Sequence, residues 1–264
     1  MNLLEAIALG LVQGFTEFFP VSSSGHLVLA EALLGVNPPG VSFEVMVHLA
    51  TLFSVLTVYR RRVVQLLVGT LRGKAAELRY VGLLVLGTVP AALAGTALKE
   101  SISQIFDLPV LAAGALIVTG FVVYSTRWLL RRATQADPGW GGAFAVGVAQ
   151  AVALIPGISR SGITVTTALF LHTRREAAAE FSFLLSVPAI LGASLLELPD
   201  LAGSSATVGV PQLAAAALSA FAAGLVAIVL FVRWLRTGSF HRFAYYCWGV
   251  AGAYLIYALV SGAA

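Results

Sequence analysis

Five apolar runs in this chain are each long enough to cross the hydrocarbon core of a bilayer, and a sixth, near residues 45–59, is short for a span. That core is about 30 Å thick, so a spanning helix needs roughly 17 to 25 residues. The chain is 59% hydrophobic and only 11% charged, with a mean hydropathy of +0.92, which is far too apolar for a soluble domain. The runs are continuous rather than alternating, which favours helices over barrel strands. We therefore predict an all-α polytopic membrane protein with transmembrane helices near residues 45–59, 81–98, 109–126, 181–197, 212–232 and 243–260.

Two further apolar stretches, near residues 6–34 and 141–172, are interrupted at their centres by proline, glycine and serine. Broken backbone is tolerated at membrane depth only where it is buried in protein or lines a cavity. We therefore predict that these stretches form two re-entrant helical hairpins, each of which enters and leaves on the same face of the membrane.

The distribution of basic residues supports this topology. With both hairpins re-entrant, fourteen of the 16 Lys and Arg residues fall on one side, which the positive-inside rule makes cytoplasmic, and both termini lie outside. If both stretches spanned fully, the first basic loop would face away from the later ones. The net charge of +4 is explained in this way, and we predict no nucleic-acid binding. The fourteen residues are Arg60, Arg61, Arg62, Arg72, Lys74, Arg79, Arg127, Arg131, Arg132, Arg174, Arg175, Arg233, Arg236 and Arg242.

The chain also aligns with itself at an offset of 137 positions. Without a gap, residues 6–28 match the later copy at eight of 23 positions, more than an Ala-, Gly- and Val-rich composition readily supplies. The matched positions include Gln13 with Gln150, Ser22 with Ser159, Ser24 with Ser161 and Gly25 with Gly162.

This internal repeat predicts the overall symmetry. Each half holds one hairpin followed by three spans, and because three is odd, the second half is inverted relative to the first. Inverted repeats with broken helices place a site at the repeat interface. We predict a single integral membrane domain over residues 1–264, with inverted-topology repeats near 1–137 and 138–264.

Both hairpins carry polar groups that are costly in a membrane. Arg160 lies in the middle of the second hairpin, where a guanidinium costs about 2.5 kcal/mol or more unless it meets water and an anionic partner. In the first hairpin, Gln13 and Glu17 are four residues apart and share a helix face. The hydroxyls of residues 22–24 and the imidazole of His26 follow.

Together these groups predict a phosphate site. Serines and glycines at a helix break supply N–H and O–H donors that cradle phosphate oxygens, and the arginine fork binds phosphate at two points. A carboxylate, a nucleophile and an imidazole complete the set that hydrolysis of a phosphoanhydride needs. The candidate phosphate-binding residues are Ser22, Ser24, Ser159, Arg160, Ser161 and Thr164.

Two strings carry a family resemblance. QGFTEFFPVSSSGH, from Gln13 to His26, and PGISRSGIT, from Pro156 to Thr164, closely resemble the two signature motifs of the undecaprenyl-diphosphate phosphatases of the BacA/UppP family. The resemblance extends to EFSFLLSVP, from Glu180 to Pro188, and covers essentially the whole chain in length and segment order.

The resemblance implies a function and a location. Such proteins remove the terminal phosphate of a C55 polyprenyl diphosphate, which regenerates the lipid carrier for peptidoglycan and related polymers. They are associated with bacitracin resistance, because that antibiotic binds the diphosphate. The resemblance further implies a bacterial cytoplasmic membrane, access from the outer face and a divalent cation, Mg²⁺ or Ca²⁺. The expected partners are the polyprenyl diphosphate and membrane lipids, and a homodimer is a reasonable form for this kind of protein.

The resemblance also assigns roles. It implies Ser23 and His26 as the catalytic serine and histidine, Arg160 as the phosphate-binding arginine, and Glu17 with Gln13 as the cation site. Many relatives have glutamate where this chain has Gln13, so a site with two carboxylates is in doubt here. The candidate catalytic residues are thus Glu17, Ser23, His26 and Arg160.

Several alternatives stay open at this point. The sequence does not choose between Ser23 and an activated water as the attacking group. The serines could serve close helix packing alone, and Glu17 with Arg160 could be a structural ion pair. His48, without a motif, is interpreted as a packing or interfacial residue. A transporter or flippase for a polyprenyl phosphate or another anionic substrate is the rival function, because inverted repeats favour it on architecture.

Overall fold

The fold is entirely helical over the residues that the structure, a computed structural model, describes: 1–34, 41–129, 134–203 and 208–261. The side chains of residues 34, 41 and 198–203 are not described. Arg131 and Arg132, which we predict to be cytoplasmic, lie outside the described residues. The helices are α1 (Leu3–Phe18), α2 (Ser23–Leu34), α3 (Val41–Val58), α4 (Arg60–Leu71), α5 (Ala75–Ala97), α6 (Lys99–Phe106), α7 (Pro109–Leu129), α8 (Gly139–Val152), α9 (Arg160–Phe170), α10 (Arg175–Gly203), α11 (Val210–Thr237) and α12 (Phe243–Ser261).

Several of these helices are long and apolar enough to cross a membrane, which confirms the prediction of an all-α polytopic membrane protein. Five meet this description alone, namely α5, α7, α10, α11 and, with the turn before it, α12. Each contains or nearly contains one of the six predicted spans. The remaining predicted span, 45–59, corresponds to α3, which qualifies only together with α4 across an 80° bend.

Two segments interpreted as loops are helical instead. The basic segment after α3 forms α4, and the segment after α5 forms α6. Both helices are too short to span, so an analysis based on span length misses them. In α4 the apolar residues recur at helical spacing behind an arginine run, and this pattern stabilises an amphipathic helix.

Both predicted broken stretches are helix pairs, α1–α2 and α8–α9, and each begins with a helix that packs along a partner from the other half. A Cβ on Gly10 would lie 2.4 Å from the carbonyl oxygen of Ala216, and one on Gly14 would lie 2.4 Å from that of Ala220. Residue numbers thus rise together in α1 and α11, so the two helices are parallel. In the same way α8 runs parallel to α5, where a Cβ on Gly147 would lie 2.5 Å from the carbonyl oxygen of Gly87.

One end of the bundle gathers the basic segments. Three ion pairs there join the starts of α4, α5 and α10, the segment before α8 and the end of α11. Since α11 ends at this end and α1 runs parallel to it, α1 starts at the opposite end. Since α5 begins at this end and α8 runs parallel to it, α8 also starts here. The pairs are Arg62–Glu180 at 2.9 Å, Arg79–Asp137 at 2.6 Å and Arg236–Glu176 at 3.1 Å.

The second helix pair leaves and returns at this basic end. Just before α8, the N–H of Gln135 donates to the carbonyl of His172, which follows α9, at 2.9 Å. The N–H of Arg174 donates back to the carbonyl of Gln135 at 2.9 Å. The two ends of the pair therefore lie side by side, as a re-entrant hairpin requires.

Candidate active site

The first helix pair breaks at a serine with unusual backbone geometry. Pro20 cannot donate the hydrogen bond that would continue α1, and Ser22 has a φ of 66°, in the left-handed region that disfavours residues with a Cβ. Its side chain caps α2, because the N–H of Gly25 donates to Ser22 Oγ at 3.2 Å. The same hydroxyl lies 3.3 Å from Ser24 Oγ.

The second pair breaks with the same cap, 137 residues later. Gly157 takes the turn with a φ of 94°. Ser159 then caps α9, and its Oγ accepts from the N–H of Gly162 at 3.1 Å. Ser159 Oγ also lies 3.2 Å from Ser161 Oγ, which matches the paired serines of the first break.

The two breaks contact each other in the middle of the bundle; we call this contact, of residues 19–25 with 157–162, the joint. The N–H of Gly157 donates to Ser22 Oγ at 3.1 Å, and Ser161 Oγ donates to the carbonyl of Phe19 at 3.0 Å. A Cβ on Gly25 would lie only 2.8 Å from the Cα of Gly157. The joint therefore depends on small residues and on serine hydroxyls that bond to backbone.

An ion pair crosses the joint. Arg160, the first residue of α9, donates from Nη2 to Glu17 Oε1. The other oxygen, Glu17 Oε2, accepts from Ser23 Oγ at 2.6 Å and from Gln13 Nε2 at 3.1 Å. Glu17 is buried, and the Arg160 side chain is 16% exposed. Four of the predicted residues are thereby brought into one connected cluster.

The remaining predicted hydroxyls already have protein partners. Ser22, Ser159 and Ser161 hold the joint together, as described above. Thr164 Oγ1 lies 2.6 Å from Ser182 Oγ and donates to the carbonyl of Arg160 at 2.7 Å. In this arrangement these groups shape the first turns of α2 and α9.

His26 is held away from the ion pair by its own partners. Its Nδ1 donates to the carbonyl of Ser22 at 2.8 Å, and its Nε2 lies 3.0 Å from the Oη of Tyr246. The two rings are stacked with centroids 5.5 Å apart. Over the described residues, no hydrogen bond or ion pair joins His26 to Glu17 or Arg160.

Three residues that the sequence did not single out complete the surroundings. Thr119 on α7 donates from Oγ1 to the carbonyl of Gly157 at 2.7 Å and accepts from the N–H of Ser159 at 2.9 Å. Ser182, on α10, lies within the third string of the family resemblance, so that signal could have found it. His48, interpreted from sequence as a packing residue, places Nε2 3.8 Å from Glu17 Oε2.

The electrostatics at the joint favour an anion. Both α2 and α9 begin there, and a helix N-terminus carries about half a unit of positive charge. Glu17 and Arg160 neutralise each other, so the helix ends leave the joint with a net positive potential. An entering phosphate therefore meets the arginine fork and two sets of first-turn N–H groups.

Oxygen donors at the joint suit a hard cation. Gln13 Oε1 is buried and has no hydrogen-bond partner. Gln13 lies on α1, four residues before Glu17. An amide oxygen and a carboxylate are ligands that Mg²⁺ and Ca²⁺ prefer. Within the described parts of the chain, no group of three or more His, Cys, Asp or Glu residues could hold a metal. The two residue types thus match a cation that takes its other oxygens from water or from a substrate, while in this structure the amide turns Nε2 rather than Oε1 to Glu17.

Known proteins resemble this chain over nearly its full length. The undecaprenyl-diphosphatase of Desulforapulum autotrophicum is 39% identical over 270 residues, covering 95% of this chain and 96% of the relative. That of Rhodopirellula baltica is 41% identical, with 93% and 94% covered, and undecaprenyl-diphosphatase 1 of Shouchella clausii is 39% identical, with 95% of both covered. The sequence model of the family described as "Bacitracin resistance protein BacA" matches residues 6–253. The chain therefore belongs to the BacA family.

Proposed function

We propose that this chain is an integral membrane phosphatase that hydrolyses undecaprenyl diphosphate to undecaprenyl phosphate and inorganic phosphate. The reaction recycles the lipid carrier for cell-wall synthesis and confers bacitracin resistance. The observation that carries the proposal is the half-buried cluster of Glu17, Ser23 and Arg160, assembled from two helix pairs. Anion transport requires the arginine but not a hydroxyl bonded to a carboxylate. The substrate follows from the names of the relatives.

The geometry supports a direct displacement at phosphorus. Arg160 and the first-turn N–H groups of α2 and α9 hold the terminal phosphate and stabilise its developing charge. Glu17 already accepts a hydrogen bond from the Ser23 hydroxyl, so it can take that proton, or one from a water in the same place, as the oxygen attacks. A new P–O bond forms while the anhydride P–O bond breaks, and the lipid monophosphate leaves. With water as the attacking group this step gives inorganic phosphate directly. With Ser23 it gives a phosphoserine, and a water must then attack phosphorus and break the bond to Ser23 to release inorganic phosphate. His26 holds or releases a proton at Nε2, beside Tyr246.

A divalent cation is part of this proposal, because the charges at the joint do not balance a diphosphate. Arg160 is already neutralised by Glu17, whereas a diphosphate brings several negative charges. Gln13 Oε1 and the Glu17 carboxylate would hold Mg²⁺ or Ca²⁺, which would supply the missing positive charge when bound.

The cation site can be tested with a matched pair of glutamines. Gln13→Ala is expected to raise the cation concentration for half-maximal phosphate release by about tenfold or more, because it removes one ligand. Gln150→Ala, at the equivalent buried position of the second pair, should leave that concentration unchanged. If the two variants need the same cation concentration for half-maximal phosphate release, Gln13 is excluded as a ligand.

The proposal includes a membrane topology. We infer six transmembrane helices and two re-entrant hairpins in inverted repeats, near residues 1–137 and 138–264. The supporting observations are the parallel pairs α1–α11 and α8–α5, which start at opposite ends of the bundle, and the matching serine caps. The positive-inside rule makes the basic end cytoplasmic in a bacterial inner membrane.

The proposal also covers how the substrate reaches the joint and how the protein assembles. The joint then lies near mid-membrane, and the outer face gives access to a diphosphate released after polymer transfer. The isoprenoid tail stays in lipid while the headgroup enters between helices. A homodimer stays a prediction.

The decisive experiment is phosphate release from C55 polyprenyl diphosphate by purified protein in detergent with Mg²⁺ or Ca²⁺. Arg160→Lys keeps the charge but loses the fork, and Glu17→Gln keeps the shape but loses the charge. Both should lower kcat by about 100-fold or more, the loss typical of one transition-state donor. Arg79→Lys and Asp137→Asn, which alter an exposed ion pair of the same chemistry, should retain activity.

The opposite outcome favours the rival function. If the folded protein releases no phosphate across metals and detergents, a transporter or flippase becomes the better hypothesis. That hypothesis predicts protein-dependent movement of labelled polyprenyl phosphate across proteoliposomes.

A further inference from the structure

A second basic site lies outside the joint, at the elbow where α3 meets α4. The two helices are bent by 80° at Tyr59. The elbow holds a cavity of about 380 Å³, lined by Val58, Tyr59 and the three consecutive arginines Arg60, Arg61 and Arg62. The volume is in the range of small-molecule sites.

Two of the three arginines have charges that the protein leaves uncompensated. Arg62 already has partners in the protein, because its Nε donates to Glu180 at 2.9 Å and its guanidinium lies 4.6 Å from the ring centroid of Tyr80. Arg60 and Arg61 are exposed, and Arg60 donates from Nη1 to a backbone carbonyl at 3.1 Å. Across the described residues neither forms an ion pair. Glu180, Asp137 and Glu176 already pair with other arginines. Glu77, against the packed face of α4, accepts from Gln65 at 3.3 Å.

The outer face of α4 continues this site with an apolar stripe. Val64, Leu67, Val68 and Leu71 recur at helical spacing and are 57%, 60%, 39% and 88% exposed. The opposite face is packed on the protein, because a Cβ on Gly69 would lie 2.5 Å from the side chain of Glu77. A short helix with a basic start and an apolar stripe, turned sharply away from a spanning helix, has the features of a helix that lies in the membrane interface.

We propose that the α3–α4 elbow binds the phosphate of an anionic phospholipid, with the acyl chains of that lipid along the α4 stripe. Charge complementarity selects this occupant. Planar guanidinium forks bind phosphate at two points, and no unpaired carboxylate of the described residues faces the cavity to accept the ammonium of a zwitterionic headgroup. The stripe begins at Val64, two residues after the last arginine of the cavity, so one molecule with a charged head and apolar tails satisfies both.

The test measures lipid binding to the full chain in detergent by native mass spectrometry. Dioctanoyl phosphatidylglycerol and dioctanoyl phosphatidylcholine are titrated against the protein, against Arg60→Gln/Arg61→Gln, and against Arg72→Gln/Lys74→Gln. The control variant removes the same charge just beyond the other end of α4. We expect phosphatidylglycerol to bind at least tenfold more tightly than phosphatidylcholine, and the elbow variant alone to lose about tenfold or more of that affinity.

Three results would overturn the proposal. The first is equal affinity for the two lipids. The second is an equal loss in the elbow and control variants, which would indicate general attraction to a basic surface. The third is full displacement of phosphatidylglycerol by millimolar inorganic phosphate, which would make the elbow a site for free anions rather than for lipid.

Discussion

Replacing Thr119 with valine removes one hydroxyl that makes two hydrogen bonds to the backbone of the second helix break. The side chain is buried, and its oxygen accepts from the N–H of Ser159 and donates to the carbonyl of Gly157. Valine has nearly the same shape, so it leaves two buried backbone groups without partners. Each such group costs about 1–3 kcal/mol, so two predict a loss of about 2–6 kcal/mol in the free energy of unfolding. Arg160 directly follows this segment, so kcat should also fall, because small misplacements at a site cost about 100-fold.

Thr126 provides the matched control, because it is buried on the same helix seven residues later. Its hydroxyl donates to the carbonyl of Val123 within that helix, so its loss leaves no backbone group of another element unpaired. Thr126→Val should therefore cost less than about 1 kcal/mol and retain kcat. Thermal unfolding in detergent and phosphate release measure both quantities. Equal stability and equal kcat in the two variants would refute the reasoning that Thr119 positions the Arg160 segment.

Three further predictions concern the joint and the basic end. Gly25→Ala should destabilise the protein by about 1–3 kcal/mol, because the new methyl meets backbone at 2.8 Å; Gly114→Ala, with nothing within 4 Å, should be neutral or stabilising in the same thermal assay. Glu17→Gln/Arg160→Met should unfold at a higher temperature than Arg160→Met alone yet release no phosphate; recovery of both properties would make the ion pair purely structural. A hydrogen bond from its arginine partner lowers the pKa of Asp137 from the ordinary 3.8. The pair of Arg79 with Asp137 should therefore stabilise the wild type fully above about pH 4, and this contribution should vanish at lower pH. Because the pair is partly exposed, the contribution should be less than about 1 kcal/mol. Unfolding midpoints from pH 6 to pH 3 should show this dependence in the wild type and not in Asp137→Asn.

The sequence predicts those parts of the fold that follow from the bilayer itself. The length of an apolar run identifies α5, α7, α10, α11 and α12, because lipid permits little else than a helix there. The pairing of Glu17 with Arg160 was predictable for the same reason, since neither charge is tolerated alone at that depth.

The sequence does not predict contacts that depend on how the helices pack. Thr119 lies in an apolar span with no motif around it, and only the packing of α7 on the second break gives it a role. Tyr246 is 220 positions from His26, and His48 reaches Glu17 from α3. Such partners follow from the relative placement of helices from both halves, which hydropathy and spacing do not encode.

The ion pair at the joint also couples the two halves of the chain. Glu17 comes from the first helix pair and Arg160 from the second, so each half carries a charge that its own residues do not neutralise in this cluster. Removing one member of a buried pair costs about 3–5 kcal/mol, whereas apolar residues of similar size can replace both at little cost. Stability alone therefore gives no reason to place this pair, rather than packed apolar side chains, at the tips of two broken helices. An anionic substrate does give a reason, because Arg160, held by Glu17 between two helix N-termini, is then placed to meet a phosphate. The hydroxyl of Ser23 on the same carboxylate then distinguishes a site for phosphoryl transfer from one that only binds.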